Sequence, residues 1–289
     1  MVGNRIMLST GLPKVRIILY MIMILLVIAT FYPALQGLFQ SWYQSDDNSH
    51  GFLIIPCCIY FVWRSKNRWA AVQVKPEKLG AVALVISLCL YIFAQFAGIS
   101  TLGSLSFIAT IWSIVLFFYG LPMLKALIFP LSLLFLMIPI PAQLYSMATV
   151  PLQLFVSKLG TAIAAIFNIP ILREGNVLHL PEHTLAVVQA CSGLRSLMAL
   201  ITLSVIFGYM TLRKKSLRTI LVLSAIPAAV LVNVVRIVLM IIAYYYFDID
   251  LAHGSIHTAF GTVIFVFAIM IVFLGKRILS KWDETAIIR

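Results

Sequence analysis

Cys191, Arg195, Arg236 and His257 are reactive or ionisable side chains set within or at the edge of long apolar runs. Ionisable groups in such surroundings are costly and mark function by default. Cys191 stands in QACSGLRSL, ahead of a stretch apolar enough to form a spanning helix. A thiol at a helix start meets unpaired backbone N–H groups and the positive end of the dipole, and both favour the nucleophilic thiolate. Arg195 follows four residues later, so its guanidinium rises on the same face and adds to that effect. It also lies close enough to the end of its span to snorkel into water. Ser192 and Gly193 leave the helix start open to a substrate backbone. The plainer reading of Cys191 is a small buried hydrophobe, which fits Cys57, Cys58 and Cys89 inside their apolar runs.

Arg236 sits deeper, in NVVRIVLM, with Asn233 one turn away on the same helical face. A cation there needs a partner or a substrate. His257 begins another span in AHGSIHTAFG, with Gly261 one turn on, and can supply the acid/base partner that a thiol nucleophile needs. His253 and His257 are spaced as zinc pairs can be, but there is no HExxH and no helical carboxylate nearby. Neither a metal nor another cofactor is expected. A serine nucleophile elbow and a GxGxxG phosphate loop are also absent from the sequence.

The elements that must position these residues are membrane helices. Hydrophobic residues make up 62% of the 289 and charged residues 10%, far outside the usual soluble balance. Such a surface needs lipid as its solvent. The net charge of +12 would suit nucleic acid, but the basic residues fall in short clusters between apolar spans, the positive-inside pattern. Nucleic acid is therefore not an expected partner. Crossings are expected at about 15–36, 49–63, 79–98, 104–119, 124–140, 191–212, 217–247 and 257–275. The first run is too long, and lacks the small-residue cleavage site, for a cleavable signal peptide.

With eight crossings and a cytoplasmic N-terminus, 17 of the 21 Lys and Arg residues face the cytoplasm. A ninth crossing at 143–169 would turn either Arg213–Arg218 or the Arg64–Lys78 cluster outward, against the charge rule. That segment, which holds Pro151 and Lys158, is therefore expected as a re-entrant or interfacial helix on the outer face. Ile171–Ala190 carries turn signals at Glu174-Gly175-Asn176 and Pro181-Glu182-His183, and reads as a small extracytoplasmic hairpin. All five histidines, His50 included, fall on this outer side. The fold class is thus an all-α polytopic membrane protein. It reads as one integral-membrane domain over 1–289, with cytoplasmic tails at 1–14 and 276–289 and an extracytoplasmic segment at 143–190.

These residues carry a family resemblance. SHGFLIIP (Ser49–Pro56), PLQLF (Pro151–Phe155), REGNVLHL (Arg173–Leu180), ACSGLRSL (Ala190–Leu197), NVVRI (Asn233–Ile237) and HTAFG (His257–Gly261) together resemble the exosortases. These are membrane cysteine transpeptidases proposed to process proteins bearing a C-terminal Pro-Glu-Pro sorting signal. The resemblance implies a catalytic triad of Cys191, Arg236 and His257. Arg195, Asn233, His50, Ser192 and Gly193 would stand in support. It also implies substrate proteins ending in that signal and a transmembrane helix, lipid as surroundings, an unidentified acceptor, and a place in the bacterial inner membrane with the site facing the periplasm.

The residues and the resemblance agree on acyl transfer through a thioacyl-enzyme. The rivals are a hydrolase using the same triad and a transporter binding an anion at Arg236. No inverted repeat or pair of broken helices supports the transporter. Depth leaves one question open. Arg236 lies about 28 Å along a straight helix from Leu217, near the outer surface, yet about 16 Å inward from Phe247. A kink at Pro227 would reconcile the two. On topology, cysteine labelling should find positions 66, 125 and 214 protected in intact cells and positions 50 and 176 reactive from outside. External labelling at 214 would refute the eight-crossing arrangement.

Overall fold

The computed structural model describes residues 13–181, 183–187, 193–252 and 254–285, and these fold almost wholly into helices. Cys191, Ser192 and His253 lie outside the described residues, as does the side chain of Arg195. The chain is an all-α polytopic membrane protein. Contacts divide it into two compact units, Met1–Gln44 with Gly51–Pro139, and Ser45–His50 with Ile140–Arg289.

In the first unit, α1 (Pro13–Thr30) and α2 (Tyr32–Gln44) meet at Phe31 with a bend of 68°. Pro33 follows the bend and has no N–H to give the preceding turn. Phe31 itself is fully buried against Tyr91 and Phe107. The expected crossing at 49–63 is α3 (Gly51–Arg64), only 14 residues long, followed by the short α4 (Lys66–Ala70). The next two crossings are α5 (Lys78–Phe96) and α6 (Ser100–Tyr119), which pair antiparallel. A Cβ at Gly80 would strike the Phe117 backbone at 2.3 Å, and the Ser87 and Thr110 hydroxyls bond at 2.9 Å. Small and hydroxylated residues of α6 are buried, whereas Leu79, Val85, Ile86, Ile92 and Phe93 of α5 are exposed. That inside-out pattern suits lipid. The expected crossing at 124–140 is broken into α7 (Leu121–Ala126), α8 (Ile128–Leu133) and a 3₁₀ turn over Leu134–Met137.

The second unit holds every described candidate residue. The segment expected as re-entrant or interfacial is one unbroken helix, α9 (Ala142–Ile166), that tolerates Pro151 within it. By length and composition it qualifies to cross a membrane, with α5, α6 and the two long helices below, while α1 and α2 qualify as a bent pair. A strand-and-turn segment follows, with β1 (Leu172–Glu174), β2 (Val177–His179) and β3 (Thr184–Ala186) in an antiparallel sheet ordered β1-β2-β3. Arg173 pairs with Leu178 and Leu178 with Leu185. The first turn is Gly175-Asn176, and its φ of +64° suits glycine. Ser157 donates to the Gly175 carbonyl at 3.0 Å and Asn176 to Gln153 at 3.3 Å, which clips the turn to the side of α9.

Three helices complete the unit: α10 (Gly193–Thr211), α11 (Lys215–Phe247) and α12 (Gly254–Thr285). Leu200, Leu221, Val232, Ile264 and Ala268 join them in one core. A second core joins α9 and α11 to the sheet through Val156, Leu178, Leu185, Ile237, Met240 and Ile241. A Cβ at Gly160 would meet Ile237 at 2.8 Å, and Tyr246 donates to the Phe167 carbonyl at 2.9 Å. So α9 and α11 run side by side in the same direction, with the sheet packed along their C-terminal ends.

Candidate active site

The depth of Arg236 follows from the length of α11. Its 33 residues form one helix that holds Pro227 within it. At 1.5 Å per residue the helix is about 50 Å long, some 20 Å more than a hydrocarbon slab needs. Arg213, Lys214, Lys215 and Arg218 mark one boundary. The excess falls at the other end, where Ile237, Met240, Ile241 and Tyr244 are covered by the sheet. Arg236 lies at the base of that cap.

The helices bring three sequence segments to one level. α10 and α11 are antiparallel, and Gly208 of one faces Arg218 of the other, its built Cβ 3.6 Å from the Arg218 Cα. Continuing that register sets Gly193, the first residue of α10, level with Asn233. On α12, Gly261 faces Arg236, where a Cβ would lie 3.3 Å from Nη2 and 3.7 Å from Cζ. The glycine leaves the guanidinium its space.

Arg236 and His257 are in direct contact, Nη2 to Nε2, at 3.1 Å. The other ring nitrogen, Nδ1, lies 2.9 Å from the Leu251 carbonyl oxygen. A guanidinium can only donate and a carbonyl can only accept. Both bonds therefore exist together in one state only, the neutral imidazole with its hydrogen on Nδ1 and a lone pair on Nε2. That lone pair is what a general base needs.

A chain of bonds behind His257 holds the Leu251 carbonyl in place. Asp248 ends α11 in the left-handed region, at φ 54°, which aspartate tolerates better than most residues. His183 bonds its side chain at 2.8 Å and packs its ring on Tyr244. Tyr244 donates its hydroxyl to Asp250, and the same carboxylate oxygen accepts the Ala252 N–H at 2.7 Å. The turn between α11 and α12 is thus fastened on both sides of Leu251. No residue pattern marks Asp250 or Tyr244 for this role, because the link runs through a backbone carbonyl.

The remaining candidates divide clearly. Asn233 is buried, and among the described residues its Nδ2 has no acceptor; the same holds for Nε of Arg236. His50 lies in the Ser45–His50 segment that belongs to this unit, its Nδ1 3.1 Å from the Asp47 carbonyl oxygen. Tyr145 of α9 donates to the Asp47 carboxylate at 2.6 Å, and the turn Asp46–Asn48 packs on α10, the helix that Cys191 precedes. Gly193 opens α10. Among the described residues no cluster of histidine, cysteine and carboxylate could hold a metal.

The family model described as transmembrane exosortase matches residues 42–274. The chain belongs to the exosortase family. The match runs from Trp42 to Leu274, within α12, and so takes in Arg236, His257 and Cys191. No curated protein and no solved structure matches the chain. Membership makes this exosortase a membrane transpeptidase.

The bond chain behind His257 makes a prediction. Asp250→Ala should lower turnover by about 10–100-fold, as expected when a reacting group loses its position. Asp250→Asn should keep most activity, since its carboxamide oxygen can still accept from both Tyr244 and Ala252. Processing assays at matched membrane expression check both. Equal loss in the two variants would assign the carboxylate's charge, not its geometry, to the site.

Proposed function

We propose that this exosortase cleaves a C-terminal sorting signal of the Pro-Glu-Pro type through a thioacyl-enzyme. It then transfers or releases the substrate protein at the outer face of the bacterial inner membrane. The observation that carries this reading is the contact between Arg236 and His257, in which a permanent cation donates to the lone pair of a neutral imidazole.

That contact links two steps. Cys191 gives its proton to Nε2 of His257, and its sulfur forms a bond to the scissile carbonyl carbon. Once Nε2 carries a proton it can no longer accept from Nη2, so the guanidinium is released to the oxygen on which negative charge develops. The C–N bond then breaks as His257 returns the proton to the leaving amine, and a thioester remains on Cys191. In the second half His257 takes a proton from the acceptor nucleophile, or from water, whose heteroatom bonds to the acyl carbon as the C–S bond breaks, and the proton then returns to the Cys191 sulfur. Proton transfer thus switches the arginine from holding the base to holding the oxyanion. The substrate's single apolar span would lie among these helices in the bilayer, with the cleaved bond near the base of the extracytoplasmic cap.

Substitutions separate the roles. Cys191→Ala should abolish processing while the protein still inserts, whereas Ala at Cys57, Cys58 or Cys89 should leave it largely intact. Arg236→Lys should lose about 100–1,000-fold in rate, because an ammonium does not reproduce a planar fork aimed at one oxygen. Arg195→Lys should retain substantial activity, since a point charge near the helix start still supports the thiolate. Processing rates in membranes of matched expression check all of these. Unimpaired processing by Cys191→Ala would refute the nucleophile, and the reverse pattern at the two arginines would exchange their roles.

A further inference from the structure

Two hydrogen-bond donors next to the Arg236–His257 pair are unused. Arg236 Nε and Asn233 Nδ2 are both shut off from solvent, and among the described residues neither meets an acceptor. Asn233 as a whole is only 6% exposed. Leaving a buried donor unpaired opposes folding. Two such donors one helical turn apart, on one face of α11, therefore point to an acceptor that the described residues do not supply.

The surroundings define that group. Val232 packs into the core shared by α10, α11 and α12, and Val234 into the core beneath the sheet. Asn233 lies between them, at the seam of the two cores and level with the start of α10. The first unused donor belongs to a cation and the second to a neutral amide, which does not repel it. A single oxygen acceptor that gains negative charge would satisfy both.

We infer that Asn233 is a second substrate-touching donor. Its carboxamide N–H and the Nε–H of Arg236 converge on the acyl oxygen of the bond being cleaved. This rests on the thioacyl reading above. As the Cys191 sulfur bonds to the acyl carbon, the carbonyl π electrons move onto that oxygen. They return when the C–N bond breaks and the amine leaves with the proton from His257. The asparagine pairs with the oxygen throughout, while Nη2 joins only after His257 is protonated.

The test uses the full chain in proteoliposomes and a synthetic peptide that contains a Pro-Glu-Pro motif followed by an apolar span. Asn233→Leu keeps the approximate volume and removes the donor. Fragment release under single turnover should fall by about 100–1,000-fold, with little change in KM. Iodoacetamide should alkylate Cys191 at the wild-type rate. The melting temperature should stay at or above wild type, because an unpaired buried donor has been removed. An asparagine that only supports the fold would instead lower the melting temperature and alter alkylation along with activity. Asn233→Ala checks that the leucine's bulk is not responsible, and must show the same loss with alkylation unchanged. A loss below about tenfold, or one accompanied by a lower melting temperature in the leucine variant, overturns the inference. Cys191→Ala runs in parallel. If it still releases fragment, the thioacyl reading itself fails; if it is inactive while the Asn233 variants turn over normally, only this inference fails.

Discussion

A guanidinium donating to an imidazole nitrogen is the constraint on which the second unit depends. The bond between Arg236 and His257 joins α11 to α12, and it needs a histidine whose hydrogen is held on the far nitrogen. The Leu251 carbonyl holds that hydrogen. Keeping a carbonyl so placed requires a rigid turn, which Asp248, Asp250, Tyr244 and His183 supply. The sheet therefore does more than cover the helices, because His183 fastens the turn that sets the tautomer. A cation at this depth would be expensive if it faced lipid. Here it has the imidazole as a partner, and Gly261, one turn along the same helix, leaves it room.

The arrangement also accounts for the length of α11. A helix that only crossed the bilayer could stop near Arg236. This one continues for about three turns more, and those turns carry Ile237, Met240, Ile241 and Tyr244 into the core beneath the sheet. The extension gives the chain a water-excluding wall above the arginine. A low-polarity surround would strengthen the electrostatics of the proposed reacting groups, and it encloses the donors of Arg236 and Asn233 that no described residue pairs.

Much of this was legible in the sequence. The apolar runs now seen as α5, α6, α11 and α12 are long and uniform, and length is what lipid demands of a helix. Arg236 and His257 were recognisable because polar groups stand out against such runs. The sheet was marked by Gly175, whose positive φ the turn uses. Less could be read where tertiary packing decides. The bend at Phe31 depends on Tyr91 and Phe107, distant in sequence. The charge pattern argued for a re-entrant or interfacial helix at 143–169, whereas α9 is one helix of 25 residues whose close approach to α11 is made at Gly160. The link from Asp250 to His257 passes through a main-chain carbonyl, which no residue pattern records. Asp47 likewise owes its place to Tyr145, 98 positions away.

The central claim is that the Arg236–His257 pair serves a thioacyl-enzyme on Cys191. Its most direct test is to quench the reconstituted protein during turnover of a sorting-signal peptide and to weigh the peptide that contains residue 191 by mass spectrometry. The account predicts an added mass equal to the N-terminal product's acyl group. Hydroxylamine should remove it and yield the corresponding hydroxamate. Turnover with no adduct at any time point, or an adduct on Ser192 in its place, would contradict the account.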